Sequence, residues 1–549
     1  MRKWKKIVLG AVLAVSSLAL VGFVRNPDIY FLIKKNFTIF SEVYREVSLH
    51  YVDEVNPEKL MRKGIDAMLE SLDPYTVLID EGESQQMEII TRGSYGGVGL
   101  DVGFRSDNIV VIAPVEGYPA HNKGIRSGDI IIAVDGVPVK GMSPEEVQNL
   151  TTGEPGTSLS LTIERYGIDH PLKFKLKRER IEVKNIAYAG LVGEQRNVGY
   201  ILLSRFSQNS AEEIRNALKE LESRNELEGL ILDLRNNPGG LLDEAVKIVD
   251  KFIPRGQVVV ETRGRLSQHN NRFKTEERPI YPDLPLVVLQ NGGSASASEI
   301  VSGALQDLDR AVIMGEQSFG KGLVQVMRPL SYNTALKLTT SRYYIPSGRS
   351  IQSVTYTHDR NNSAVTKPDS ARKVFKTENG RTVYDGDGIR PDLEVSASGT
   401  TLLQTSLMQQ DMFFGFANKY AAEHDSLVDE MSSEALFGDF QDYLSEKNFQ
   451  YDTPPENYLA KIDSSLDGSA GKAEAHIEAL GKRFDELKMK DFEQQKDEIQ
   501  RLLYLELIAR YEGRKGQTAA SLPYDRLINE AVSVLGDPAR YNQILSVSN

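Results

Sequence analysis

Three serines alternate with alanine at Ser294, Ser296 and Ser298, and 25 residues beyond the middle one (321 − 296) Lys321 stands between Gly320 and Gly322. A serine hydroxyl is a poor nucleophile until a neighbouring base takes its proton. A lysine is protonated at neutral pH, and burial, which disfavours the ammonium, is what makes it available as a base. The surroundings suit both groups. The apolar run 284–289 and the turn Gln290-Asn291-Gly292-Gly293 precede the serines, and Ile300, Ala304 and Leu305 then recur at helical spacing. The serines therefore fall where a strand turns into a helix, beside amides that attract an anion. A second apolar strand, 310–314, leads to Phe319-Gly320-Lys321-Gly322, an apolar setting for an amine. This is the outline of a Ser-Lys hydrolase acting by acyl transfer. A plainer account uses the same residues: Ser296-x-x-Glu299 is a capping box, and a lysine between glycines is a loop charge. Spacing alone does not separate the two.

Other chemistries are poorly represented. Cysteine is absent, which excludes disulfides, thiolate metal sites and a cysteine nucleophile. The seven histidines, at 50, 121, 170, 269, 358, 424 and 476, are scattered without an HExxH pairing, so no metal or cofactor is expected. No G-x-S-x-G elbow occurs, which argues against an α/β-hydrolase triad. The net charge of −12 argues against a nucleic-acid surface.

The elements that must position the serine and lysine are spread over a chain of 549 residues, too long for one core; three or four domains are expected. Arg2, Lys3, Lys5 and Lys6 precede the apolar run Ile7 to Val24, so 1–28 is expected to be a signal or, since apolar sequence continues past Ser17-Leu18-Ala19, an uncleaved membrane anchor with the bulk of the chain outside the cytoplasm. Residues 29–92 read as helical: Phe40, Val43, Tyr44, Val47 and Tyr51 share a face, and Pro57 suits a helix start. From 93 to 183 short strands alternate with glycine turns around one helix in SPEEVQNLTTG. From 184 to 396 strands and helices alternate, which predicts an α/β core, with the polar stretch His358 to Arg381 as an exposed insertion. Asp233-Leu234-Arg235-Asn236-Asn237-Pro238-Gly239-Gly240 is a strand-to-helix turn that needs glycine for positive φ. Residues 397–549 carry helical stripes (Leu403, Leu407, Met412, Phe416, Tyr420; Ile477, Leu480, Phe484, Leu487; Leu502, Leu505, Ile508), expected to pack chiefly within the chain. The second stripe, flanked by charges of both signs, also suits a seam with a second copy.

SASASE followed by FGKG, with Gln325 four residues after the lysine, resembles the carboxyl-terminal processing (tail-specific) serine proteases. The resemblance runs from about Phe40 to Leu393 and rests on several separate motifs. It implies Ser296 as nucleophile, Lys321 as base and Gln325 as a neutral support for the amine. It also implies an oxyanion hole made by the amide of Ala297 and that of Gly239 or Gly240, without metal or cofactor. GVGL together with GIRSGDIIIAVDG resembles the PDZ domain of these proteases. That likeness implies a peptide added as a strand, its terminal carboxylate held by the amides of Val98, Gly99 and Leu100. The fold implied is multidomain α/β (α+β), a crotonase/Clp-like protease core with an inserted PDZ domain and helical N- and C-terminal segments. The implied partners are proteins or peptides with apolar C-termini and, because some relatives dimerise through terminal helices, a second copy of the chain. Two other functions use the same motifs. A PDZ adaptor on an inactive core would not need serine, lysine and glutamine together. Crotonase-like acyl-CoA chemistry would not need the lysine, and export argues against a CoA substrate.

Overall fold

In the computed structural model of the protein the described residues are 27–80, 93–105, 107–356, 364–366, 368–396, 399–427, 434–465 and 473–546. The apolar run Ile7 to Val24 lies outside them, and among the described residues no helix is long and apolar enough to cross a membrane. Two compact units result, residues up to Leu78 and those from Ile79 on.

The first unit is a helical pair, α1 (Pro27–His50) and α2 (Pro57–Glu70). Asn56 caps α2 by accepting from the Lys59 amide, and Pro57 takes the first helical position, where its missing N–H costs nothing. The helical run stops before Asp73-Pro74, where the Asp73 carboxylate gathers the amides of Tyr75 and Thr76 into a turn. Tyr44 on α1 donates to the Pro57 carbonyl, which ties the pair together.

The second unit begins with a six-stranded sheet: β2 (Leu100–Arg105), β3 (Asn108–Pro114), β4 (Ile130–Val134), β5 (Ser158–Glu164) and β6 (Leu172–Lys177) run in that order, so that β2 is an edge, and the short strand Val137–Pro138 pairs with β4 off this path. It is closed by β1 (Ser94–Gly97) pairing with β7 (Glu179–Glu182). Leu159, Leu161 and Ile163 alternate inward along β5, as the period of a half-buried strand requires. Helix α3 (Pro144–Thr151), started by the capping box of Ser143 and Glu146, packs against β2.

The α/β core is a six-stranded sheet: β8 (Ile186–Val192), β9 (Val198–Leu203), β10 (Gly229–Asp233), β13 (Leu286–Gln290), β14 (Val312–Gly315) and β17 (Leu393–Glu394). The first pair is antiparallel and the rest parallel. Helices α4 (Ser210–Arg224), α5 (Leu242–Val249) and α6 (Ala297–Asp307) supply Leu218, Ile248 and Val301 against Leu232, Val288 and Ile313 on one face. A second sheet, β15 (Leu323–Pro329), β16 (Ala335–Tyr344), β11 (Val258–Gly264) and β12 (Asn271–Lys274), stands beside it. The stretch 358–381 is not simply an exposed insertion. Its first residues are outside the described set, but Val374–Lys376 and Thr382–Tyr384 form a hairpin, and Arg381 at its turn is largely buried, bonded to Asp309 at 2.6 Å and to Asp392.

The tail divides in two. Helices α7 (Leu402–Gln409), α8 (Met412–Glu423), α9 (Glu434–Glu446) and α12 (Lys496–Tyr511) share their own core, in which Phe413 stacks on Phe440 at 5.3 Å. Between them in sequence, α10 (Pro454–Ser465) and α11 (Ala473–Gln494) form a hairpin in which Leu480 and Leu487 stay exposed. After α13 (Gly513–Ser521), helices α14 (Arg526–Leu535) and α15 (Pro538–Leu545) return to the six-stranded sheet of the α/β core. Leu527, Ile528, Ala531, Val534 and Leu535 cover Ile231, Val287, Leu289, Val312 and Met314 on its second face. Each large side chain so buried contributes about 1.5–3 kcal/mol. The end of the chain is therefore a layer of the α/β core.

Candidate functional site

Three loops converge at the C-terminal edge of the parallel strands: the Asn236–Gly240 turn after β10, the serine turn after β13, and the Phe319–Gly322 turn before β15. Such an edge is where open α/β sheets place their sites. Asn237, fully buried, staples the first two. Its side chain donates to the Leu203 carbonyl and accepts from the Gly239 amide, and its carbonyl accepts from the Ala295 amide at 3.0 Å and from Ser298 Oγ at 2.8 Å. Ser294 Oγ donates to the Leu234 carbonyl at 2.8 Å and accepts from the Asn291 amide. The outer serines are thus buried parts of the loop junction.

Ser296 differs from both. It is half-buried, and its backbone holds φ 56°, ψ −113° just before the first residue of α6. A non-glycine residue there stores about 1–3 kcal/mol of strain, which persists only where the surroundings impose it. Its carbonyl accepts from Tyr343 Oη at 3.1 Å, and its amide donates to Glu299 Oε2 at 2.8 Å. Gly239, at φ +96°, lies so close that a Cβ there would stand 2.6 Å from the Ala295 carbonyl oxygen and 2.7 Å from the Ala297 nitrogen. Both are backbone atoms, so only glycine fits. The neighbouring Gly240 packs instead on Phe206.

Lys321 is joined to Ser296 through two side chains. Its amide donates to the same Glu299 Oε2 at 2.9 Å, and its carbonyl accepts from the same Tyr343 hydroxyl. The two peptide nitrogens therefore lie within two hydrogen-bond lengths of each other. Glu299 Oε1 accepts from the Gly320 amide at 2.7 Å and from Ser318 Oγ at 2.6 Å, while Ser318 Oγ accepts from the Ile389 amide. Burial pushes the Glu299 carboxyl upward in pKa, and these hydrogen bonds oppose it. The backbone partners are donors only, so Glu299 gathers the amides of Ser296, Gly320 and Lys321 at the start of α6. The capping box expected from Ser296-x-x-Glu299 is present in the arm from Glu299 to the Ser296 amide. That same arm draws the lysine loop in.

Gln325, on β15, directs its amide to the Thr339 hydroxyl on β16 at 3.3 Å. Ala297 opens α6, so its amide is among the orphan donors of a helix start. Val98, Gly99 and Leu100 link β1 to the edge strand β2. The Val98 carbonyl accepts from Ala120, the Gly99 carbonyl accepts from Val115, and Gly99 takes φ +74° against Tyr118. Among the described residues no group of three or more histidine, aspartate or glutamate side chains is disposed to hold a metal ion. Motif reasoning did not name Tyr343, and it named Asn237 only as part of the glycine turn and gave Glu299 no part in the chemistry. The signal of Glu299 was that of a cap.

Residues 197–361 match the model of peptidase family S41, 110–165 that of the PDZ domain, and 403–535 that of the probable PDZ-protease C-terminal helical domain. A carboxy-terminal-processing protease of Bartonella bacilliformis is 40% identical over 328 residues, 59% of this chain and 74% of that protein. A probable CtpA-like serine protease of Staphylococcus aureus is 32% identical over 358 residues, 64% of this chain and 71% of that protein. Among solved structures, the photosystem II D1 C-terminal processing protease is 27% identical, covering 69% of this chain and 97% of its own, with a TM-score of 0.34.

Proposed function

This chain belongs to peptidase family S41, the carboxy-terminal-processing proteases, and we propose that it cleaves peptide bonds with Ser296 as nucleophile and Lys321 as general base. Ser296 Oγ attacks the scissile carbonyl as Lys321 Nζ takes its proton. The oxyanion of the tetrahedral intermediate is held by two amides. The lysine then returns the proton to the leaving amine, and water releases the acyl-enzyme. Ala297 supplies one oxyanion amide. Of the two glycines, Gly239 already donates its N–H to Asn237 Oδ1, which favours Gly240 as the second donor, with Gly239 as the residue that lets the turns close. Gln325 steadies the strand that follows the lysine and, as a neutral group, adds no charge that would favour the ammonium. The observation that carries this reading is Glu299 Oε2, which accepts the amides of both Ser296 and Lys321.

The PDZ domain, taken as 93–183, selects substrates by their apolar C-termini. An edge strand with a helix beside it suits strand addition, and the Val98–Leu100 amides take the terminal carboxylate. The protease domain is taken as 184–396, completed by the last two helices of the region 397–549. The basic start and the apolar run Ile7 to Val24 support an N-terminal anchor with the protease outside the cytoplasm, acting on exported proteins; the exposed Leu480 and Leu487 of α11 support a homodimer.

The test is cleavage of an unstructured protein by wild type, Lys321→Ala and Lys321→Arg. Arginine keeps the charge but does not deprotonate, so both variants should lose activity by several orders of magnitude while still binding a peptide with an apolar C-terminus in calorimetry. An active Lys321→Arg enzyme would make the lysine a structural charge and not a base.

A further inference from the structure

The peptide groove carries a charge problem. Asp101 is the residue directly after the Val98–Gly99–Leu100 loop, and a fixed carboxylate there repels the ligand carboxylate that the loop is read to bind. Two guanidiniums from outside the PDZ domain address it. Arg514, near the start of α13 in the C-terminal helical region, bonds Asp101 at 2.7 Å, with Lys515 beside Glu116 at 3.9 Å. Arg205 comes from the protease core, two residues past the end of β9, in a segment whose Gln208 carbonyl lies 3.6 Å from where a Cβ of Gly93 would stand, just before β1, and its charge interacts with both Asp101 and Tyr95. Tyr95 lies on β1 before the loop and Asp101 on β2 after it, so Arg205 is bracketed by the loop's two flanks. Its Nε is buried and has no hydrogen-bond partner. Its backbone is rigidly placed: the next residue, Phe206, donates its amide to the Gly239 carbonyl, and its carbonyl accepts from the Leu241 amide. Arg514, exposed and paired, neutralises Asp101. Arg205, half-buried and with a donor unmet, is left over as a positive charge on a fixed element.

We infer that Arg205 is a specificity-determining residue of the peptide groove, a guanidinium lent by the protease core that pairs with the terminal carboxylate of a bound peptide while Arg514 holds Asp101. The groove is then a composite of three parts of the chain. The inference rests on the reading of residues 98–100 as a carboxylate loop.

The experiment uses the full-length chain carrying Ser296→Ala, so that the peptide is not consumed. The probe is a fluorescent peptide with apolar C-terminal residues, as free acid and as C-terminal amide, and the readout is the ratio of the two Kd values by anisotropy. In the parent the acid should bind more tightly. Arg205→Met should bring the ratio down about tenfold through loss of acid binding, with the amide unchanged. Asp101→Asn, which leaves both guanidiniums to the ligand, should move the ratio the other way. An unchanged ratio in Arg205→Met or in Asp101→Asn, or an equal loss for both peptides in Arg205→Met, would overturn the role of Arg205 while leaving carboxylate recognition by the loop intact. A parent that binds acid and amide equally would instead remove the carboxylate loop, and this inference with it.

Discussion

Removing the hydroxyl of Ser294 or Ser298 takes a buried bond out of the loop junction and leaves the Leu234 or Asn237 carbonyl short of a partner. Ser294→Ala and Ser298→Ala should each cost about 1–3 kcal/mol, visible as a lowered Tm, and keep part of the cleavage activity. Complete loss of cleavage at an unchanged Tm in Ser298→Ala would contradict the division of labour among the serines. Gly239→Ala should abolish cleavage, because its methyl group would land on the backbone of the Ser296 turn and φ +96° disfavours alanine. A fully active Gly239→Ala would mean that the two turns are not held in contact. At this scale the sequence was informative where a motif has a spacing, as with Ser296 and Lys321. It was silent on the bonds of Asn237 and Tyr343, which reach Leu203 and Lys321, because such pairing leaves no periodicity behind. Which glycine abuts the serine was equally hidden, since both precede the same helix.

The elements were legible to within a few residues, because strands such as 230–234 and 284–289 are short apolar runs bounded by turns. What covers them was less so. The stretch that forms α14 was not among the stripes read from the sequence, and periodicity in any case names a buried face and not its partner. A clue was present in β10 and β13, which are apolar at every residue but one in each: parallel strands of that kind are covered on both sides. One side belongs to α4, α5 and α6, and α14 with α15 supplies the other. Truncation after Ala397 therefore does more than remove a dimer contact. A chain ending at Ser521 should yield insoluble protease core, and Leu527→Asp in the full chain should lower the Tm by several degrees. A soluble, active protein ending at Ser521 would overturn the assignment of α14 to the core. Glu244 on α5 offers a second check. Its carboxylate bonds Ser210 Oγ, the Ala211 amide and Lys247, and these outweigh a burial that by itself would raise its pKa, so the folded value is lowered. The stability it adds is present above the ordinary carboxylate range and lost as pH falls through the lowered folded value. Glu244→Gln should flatten the acid side of the stability profile. A parallel profile in the variant would show that the carboxylate is not linked to folding.

For the whole molecule, the exposed Leu480 and Leu487 on α11, with no buried residue on α10, fit the proposed seam with a second copy. Light scattering at micromolar concentration should give a dimer that Leu480→Glu with Leu487→Glu dissociates, with the fold unchanged. A monomeric wild type would leave that hairpin as an arm without a partner. The central claim, that this is a protease whose nucleophile is Ser296, is tested most directly by purifying wild type and Ser296→Ala side by side and incubating each with the same unstructured protein. The account predicts fragments from wild type and intact substrate with Ser296→Ala over the same interval, the two proteins sharing one Tm to within a few degrees. The same fragments, appearing at a similar rate with Ser296→Ala, would contradict it.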